Sequence, residues 1–175
     1  KGVKNCQTIM PEAIKAAKAV GMPIKLAAFV DPIDQEFFDA HIKPLIDGSS
    51  VQFVGQLNRE ERSLFLQKAK AFLFPIKWQE PFGLVMVEAM AVGTPVVAFN
   101  RGSVPEIVKD GETGFVVSDE AGMVEALKKL FLSVPTLIKQ IHFNKDHPEN
   151  HNICIKNARS GIAKVYNGRE WESMD

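Results

Sequence analysis

The chain has 175 residues, 46% of them apolar and 24% charged, with 21 basic and 21 acidic side chains and no formal net charge. That length can bury one core and make one domain with an appendage; the balanced charge shows no electrostatic footprint for nucleic acid or an anionic membrane. No apolar run is long enough to cross a bilayer, no secretory pattern opens the chain, and Cys6 and Cys154 are too few and too distant for a disulfide framework.

In chain order, residues 11–20 read as a helix ended by Gly21, with Pro23 just beyond. Residues 24–30 (IKLAAFV) read as a strand, 34–46 as a helix and 51–54 as a second strand. Asn58, followed three residues later by Glu61, opens a helix over 59–70. A third strand is predicted at 71–75 (AFLFP), a helix at 84–92 closed by Gly93, strands at 96–99 and 115–117, and a helix at 120–131. Short, nearly continuous apolar strands alternating with helices indicate an α/β fold with a doubly wound, Rossmann-like parallel sheet covered on both faces.

The chain opens on a helix, whereas a doubly wound half opens on a strand that becomes central in the sheet. A first strand is therefore expected upstream of Lys1, and without it two neighbouring strands lose a partner in mid-core. Lys1 is not a methionine, so a fragment is expected. After residue 133 the rhythm stops, and His142, His147, His151 and Tyr166 gather in the last stretch. Residues 152–156 and 162–166, around a turn at 157–161, read as a β-hairpin.

The stretch from Trp78 to Ala91 (WQEPFGLVMVEAMA) follows the third strand, so it occupies the carboxyl edge of the sheet, where ligands bind in open α/β folds. Phe82, Gly83 and Leu84 are placed in the first turn of the helix, with unpaired N–H groups and the positive dipole end suited to a phosphate. Gly83 lets a ligand approach the backbone. Glu88 lies in the second turn, its side chain leaning back toward the helix start, and Glu80 sits in the loop ahead. Two carboxylates beside an anion site suit a ligand that also carries hydroxyls, since carboxylates accept from sugar and ribose hydroxyls. Glutamates near a helix start are also favourable for the dipole alone.

The run from Glu80 to Glu88 (EPFGLVMVE), continued by AMAVGTPVVA, resembles the glutamate-x7-glutamate motif of retaining glycosyltransferases of the GT-B fold, family 4. The likeness extends through RGSVPEIVKDGETGFVV from Arg101, FVGQLN from Phe53 to Asn58, and Lys1-Gly2. It implies that residues 1–132 are the C-terminal, nucleotide-sugar-binding half of a GT-B enzyme, truncated at its N-terminus. Pro81 and Ser103 are tolerated variations of the pattern.

Residue by residue, the resemblance assigns Glu80 to the hydroxyls of the transferred sugar, as the catalytic contact, and Glu88 to the ribose. The backbone of Phe82, Gly83 and Leu84 meets sugar and diphosphate, Lys1 neutralises the diphosphate, and Leu57 meets the base through its backbone. An arginine that the family carries shortly before that lysine falls upstream of Lys1. The implied reaction transfers a hexose from a donor such as UDP-glucose or GDP-mannose, with retention and without a metal or other cofactor. The acceptor, undefined by the sequence, belongs to an N-terminal GT-B domain that this chain lacks, so the fragment alone is expected to be inactive. A cytoplasmic location, membrane-peripheral in a full-length enzyme, goes with this reading.

Residues from about 135 to 175 resemble a segment of large DNA virus proteins, and 133–175 are expected to be an unrelated tail, joined in a chimera. The alternative function is a non-enzymatic fusion or interaction module keeping a glycosyltransferase-like fold. A dinucleotide-binding oxidoreductase is disfavoured, because no Gly-x-Gly-x-x-Gly follows a strand. His142, His147, His151 and Cys154 match no zinc spacing, and no metal site is assigned. Trp78, Lys77 and Arg101 flank the motif, with packing expected for the first and solvation for the other two.

Overall fold

The computed structural model describes residues 9–132 and the strand segments 153–156, 163–166 and 171–173. Helix α1 (Met10–Ala19) starts with Pro11, whose fixed φ suits a first turn, carries Glu12 in that turn and Lys18 in the last. Gly21, at φ +65°, ends it, and the Met22 N–H returns to the Ala17 carbonyl. Strand β1 is Ile24–Ala27, shorter than the seven-residue run 24–30 suggests.

The expected helix over 34–46 is not regular. A 3-10 turn (Pro32–Asp34), a single α turn α2 (Gln35–Phe37), a π turn (Phe38–Ile42) and a further 3-10 turn (Lys43–Leu45) follow one another. Pro44 is the physical reason we find: it has no N–H and its ring clashes with the carbonyl four residues back, so the α ladder cannot run through it. Phe38 and Ile42 nevertheless remain buried together, packed with Leu26 and Val51.

Strand β2 (Val51–Gly55) is followed by α3 (Arg59–Gln67). The Asn58 side chain accepts from the Glu61 N–H, and the Glu61 carboxylate accepts from the Asn58 N–H, both at 2.9 Å. This reciprocal cap contributes about 1 kcal/mol. Then come β3 (Phe72–Phe74), α4 (Leu84–Ala91), β4 (Val96–Phe99), α5 (Val104–Ile107), β5 (Gly114–Val117) and α6 (Glu120–Leu132). The last three strands, β6 (Ile153–Lys156), β7 (Ala163–Tyr166) and β8 (Trp171–Ser173), form a separate antiparallel sheet in that order.

Strands β1 to β5 make two parallel sheets, β1–β2 and β3–β4–β5. In the doubly wound order 3-2-1-4-5-6, these are the pairs on either side of the order's first strand, and among the described residues no strand pairs with both β1 and β3. Ile24 and Ala28 donate to β2-side carbonyls, those of Ser50 and Gly55. The alternate residues Lys25 and Ala27 therefore turn their N–H groups toward the other edge. Helix α1 spans this division. Met10 and Ile14 pack with β1 and β2, whereas Ala16 packs with Val97 and Phe99 of β4.

Strand β4 is buried throughout. Val96 and Ala98 face Leu66, Met86, Ala89 and Val104 on one side, while Val97 and Phe99 face Met123, Leu127 and Leu130 on the other. Both faces are thus covered by helices, as continuous apolar strands require. Thr94 is buried before β4, and its hydroxyl donates to the Leu66 carbonyl at 2.6 Å, tying α3 to the α4–β4 turn. No helix among the described residues is long and apolar enough to cross a membrane.

Candidate functional site

The site is built where β3 delivers the chain to α4. After Phe74, the buried Ile76 anchors the strand exit in the core, and the loop 77–83 then runs along the carboxyl edge. Its first polar contact is Lys77 Nζ with the Glu12 carboxylate of α1. The Lys77 bond holds the Glu12 carboxyl below its ordinary range and ties the loop to the helix bridging both sheets. Lys77 is therefore engaged within the chain. Arg101 is exposed and donates to the neighbouring Asn100 carbonyl at 2.9 Å.

Glu80 is fixed from both ends. Its Oε2 accepts the Trp78 indole N–H at 2.9 Å, and its Oε1 accepts the Gly83 N–H at 3.0 Å, with the Phe82 N–H more distant at 3.5 Å. Trp78 packs against the core beneath α4, so it both packs and orients the acid. The main chain of Glu80 is held too, its carbonyl accepting from the Ser103 N–H at 2.8 Å. Gln79 reaches the same loop, accepting from the Gly102 N–H at 2.8 Å.

Two glycines make this approach possible. Gly83, at φ +72°, is the N-cap of α4, and a Cβ there would stand 2.3 Å from Met86 Cε. Gly102, at φ +54°, lies so close to Glu80 that a Cβ would meet its carbonyl oxygen at 2.2 Å and its nitrogen at 2.4 Å. Only glycine combines the left-handed backbone with this contact.

The helix begins at Leu84, the start its predicted range gives, and not at Phe82 as the first-turn placement of Phe82 and Gly83 requires. Phe82 and Gly83 lie ahead of α4, and their N–H groups point to the Glu80 carboxylate instead of standing open. The cause is local: an acidic side chain three residues before the glycine cap can bend onto the helix start and neutralise its dipole. Leu84 is the first helical residue, where an N–H has no intrahelical acceptor. Phe82 and Leu84 are 53% and 68% exposed, which sets two large apolar side chains at the mouth of the site.

Glu88 is half-buried, one turn beyond Leu84 on the same helix face. Its Oε1 accepts from Arg62 Nη2 on α3 at 2.9 Å. Leu57, half-buried, lies between the end of β2 and the Asn58 cap, also on the carboxyl edge. Lys1 is outside the described residues, as are the side chains of His142, His147, His151 and Cys154. Among the described residues no group of three or more His, Cys, Asp or Glu could hold a metal ion.

The sequence reading missed Arg62, which no local signal marks because its partner is 26 residues away. It also missed Gly102, although a glycine in the loop after a strand, at the carboxyl edge, is a usable cue for a close backbone approach. The hydrogen bond of Trp78 was equally invisible, since a side chain two residues from Glu80 can turn either way. Chemically, the assembled site offers two oriented carboxylates, a helix start and a guanidinium, a combination suited to a polyhydroxylated anion.

A family model described as "Glycosyl transferases group 1" matches residues 11–160. The chain is 37% identical over 82 residues to the phosphatidyl-myo-inositol mannosyltransferase of Mycobacterium leprae, a match covering 46% of this chain and 22% of that protein. It is 40% identical over 83 residues to the glycogen synthase of Mycobacterium tuberculosis, covering 46% of this chain and 20% of that one. Among solved structures, sucrose-phosphate synthase from Thermosynechococcus elongatus is similar with a TM-score of 0.65 at 27% identity, over 79% of this chain and 36% of that chain. The matches thus span about a fifth of the length of these curated relatives.

Proposed function

The chain belongs to the glycosyl transferases group 1 family, and we propose that residues 1–132 bind the nucleotide-sugar donor of a retaining, metal-independent hexosyltransferase of family 4. The observation that carries this reading is the pair of separately oriented carboxylates, Glu80 at the entrance of α4 and Glu88 one turn further along. In this reading Glu80 meets the hydroxyls of the transferred sugar and Glu88 the ribose. Leu57 meets the base through its backbone, and Lys1 neutralises the diphosphate. The acceptor sits on a facing domain outside residues 1–132.

Glu80 occupies the place at the helix start that a phosphate would favour, and two anions cannot share it without repulsion. Donor binding therefore exchanges one partner for another. The carboxylate gives up the Gly83 N–H and accepts from sugar hydroxyls, while Gly83 and Leu84 turn their N–H groups to the diphosphate. As the bond to the anomeric carbon breaks, negative charge grows on the departing diphosphate. Fixed amide dipoles and Lys1 stabilise it without reorganisation, which is the larger catalytic contribution here. Glu80 orients the oxocarbenium-like sugar.

The relatives named above include a mannosyltransferase and a glycogen synthase, which supports a hexose and leaves its identity to experiment. The test is titration of the chain with UDP-glucose and with GDP-mannose, following the amide resonances of Phe82, Gly83 and Leu84. The expected result is a saturable shift of Gly83 and Leu84 with at least one donor. Silence of these amides toward both donors overturns the reading.

A further inference from the structure

We propose that Arg62 is a positioning residue for the nucleoside part of the donor: it holds Glu88 so that one carboxylate oxygen is presented to the vicinal diol of a ribose. This rests on the reading of Glu88 as the ribose contact. Arg62 Nη2 donates to Glu88 Oε1 at 2.9 Å across the α3–α4 junction. The bond consumes one oxygen and fixes the plane of the carboxylate, leaving Oε2 to accept from a hydroxyl.

The placement of Arg62 is itself well determined. The Asn58–Glu61 cap sets the start of α3 and hence the direction of its fourth residue. Thr94, bonded to the Leu66 carbonyl, and Leu66 itself, packed with Met86 and Ala89, fix α3 against α4. Both partners of the ion pair are 40% exposed. An exposed pair adds little to stability, so its value lies in orientation. A guanidinium suits this task better than an ammonium, because its planar fork directs the bond.

The experiment compares binding of UDP and of 2′,3′-dideoxy-UDP to the full chain by calorimetry, in wild type, Arg62→Gln, Arg62→Lys, Glu88→Gln and the double variant Arg62→Gln/Glu88→Gln. Arg62→Gln is expected to weaken UDP by about two- to fivefold, the range of an exposed ion pair, and to leave the dideoxy nucleotide unchanged. Arg62→Lys falls between, and Arg62→Gln adds nothing in the Glu88→Gln background. Equal weakening of both nucleotides by Arg62→Gln, or no weakening, overturns the proposal while a ribose-selective loss in Glu88→Gln keeps the site reading. If Arg62→Gln does not fold, Arg62→Lys decides by the same comparison. Ribose preference that survives Glu88→Gln overturns the ribose reading of Glu88 and this proposal with it.

Discussion

The indole N–H of Trp78 and the backbone N–H of Gly83 clamp the two oxygens of Glu80, at 2.9 Å and 3.0 Å. Replacing Trp78 by Phe removes one clamp and little packing volume. A side-chain hydrogen bond of this kind contributes about 1 kcal/mol. The variant should therefore bind UDP-glucose about two- to fivefold more weakly, with binding of UDP itself unaltered. Calorimetry with both ligands checks the difference; an equal loss for both points to a packing defect.

Glu80→Ala separates orientation of the sugar from binding of the diphosphate. It frees the Gly83 N–H and removes a negative charge from the helix start. Affinity for UDP should be unchanged or increased. In a full-length family member carrying the same change, turnover should fall far more than donor affinity. Parallel loss of both contradicts the assigned role.

The loop 100–103 is predicted to set the position of Glu80 from behind. Gly102→Ala places a Cβ against the Glu80 backbone and demands a left-handed φ from a non-glycine residue. Overpacking of this kind costs about 1–3 kcal/mol. The expected outcome is a lowered thermal midpoint together with displaced Glu80 and Gly83 amide resonances. An unshifted Glu80 signal would show that the two loops are independent.

The division between β1 and β3 predicts an uneven pattern of hydrogen exchange. Lys25 and Ala27 direct their N–H groups to the edge of β1 that β2 does not cover, whereas Ile24 and Ala28 are bonded to the β2 side. Exchange at Lys25 and Ala27 should be fast, and exchange at Val97 and Ala98 of the fully buried β4 should be slow. Comparable protection across all four amides would mean that the β1 edge is covered in solution.

The α/β alternation was legible because each strand carries a short apolar run and each helix its own punctuation, such as Gly21 after α1 and the Asn58–Glu61 box before α3. The contact between Glu80 and Gly83 at the candidate site is local for the same reason, since the two lie three residues apart. The stretch 34–46 misled because its apolar spacing is helical while Pro44 interrupts the backbone ladder, and the two signals give opposite answers at short range. The order of the strands, the partner of Glu88 and the closeness of Gly102 to Glu80 could not be read from neighbouring residues.

Apart from the stretch 34–46, the amino-acid sequence alone determined the secondary elements of the parallel sheets and the residue types placed at the carboxyl edge, because helix caps, strand alternation and a glycine in the left-handed region depend on residues a few positions apart. Only the tertiary structure decided which groups hold the two carboxylates. Arg62 is brought to Glu88 by the packing of α3 on α4, and Ser103 to Glu80 by the pairing of β4 with β3. Those contacts join distant parts of the chain, and their geometry exists only once the core beneath them has closed.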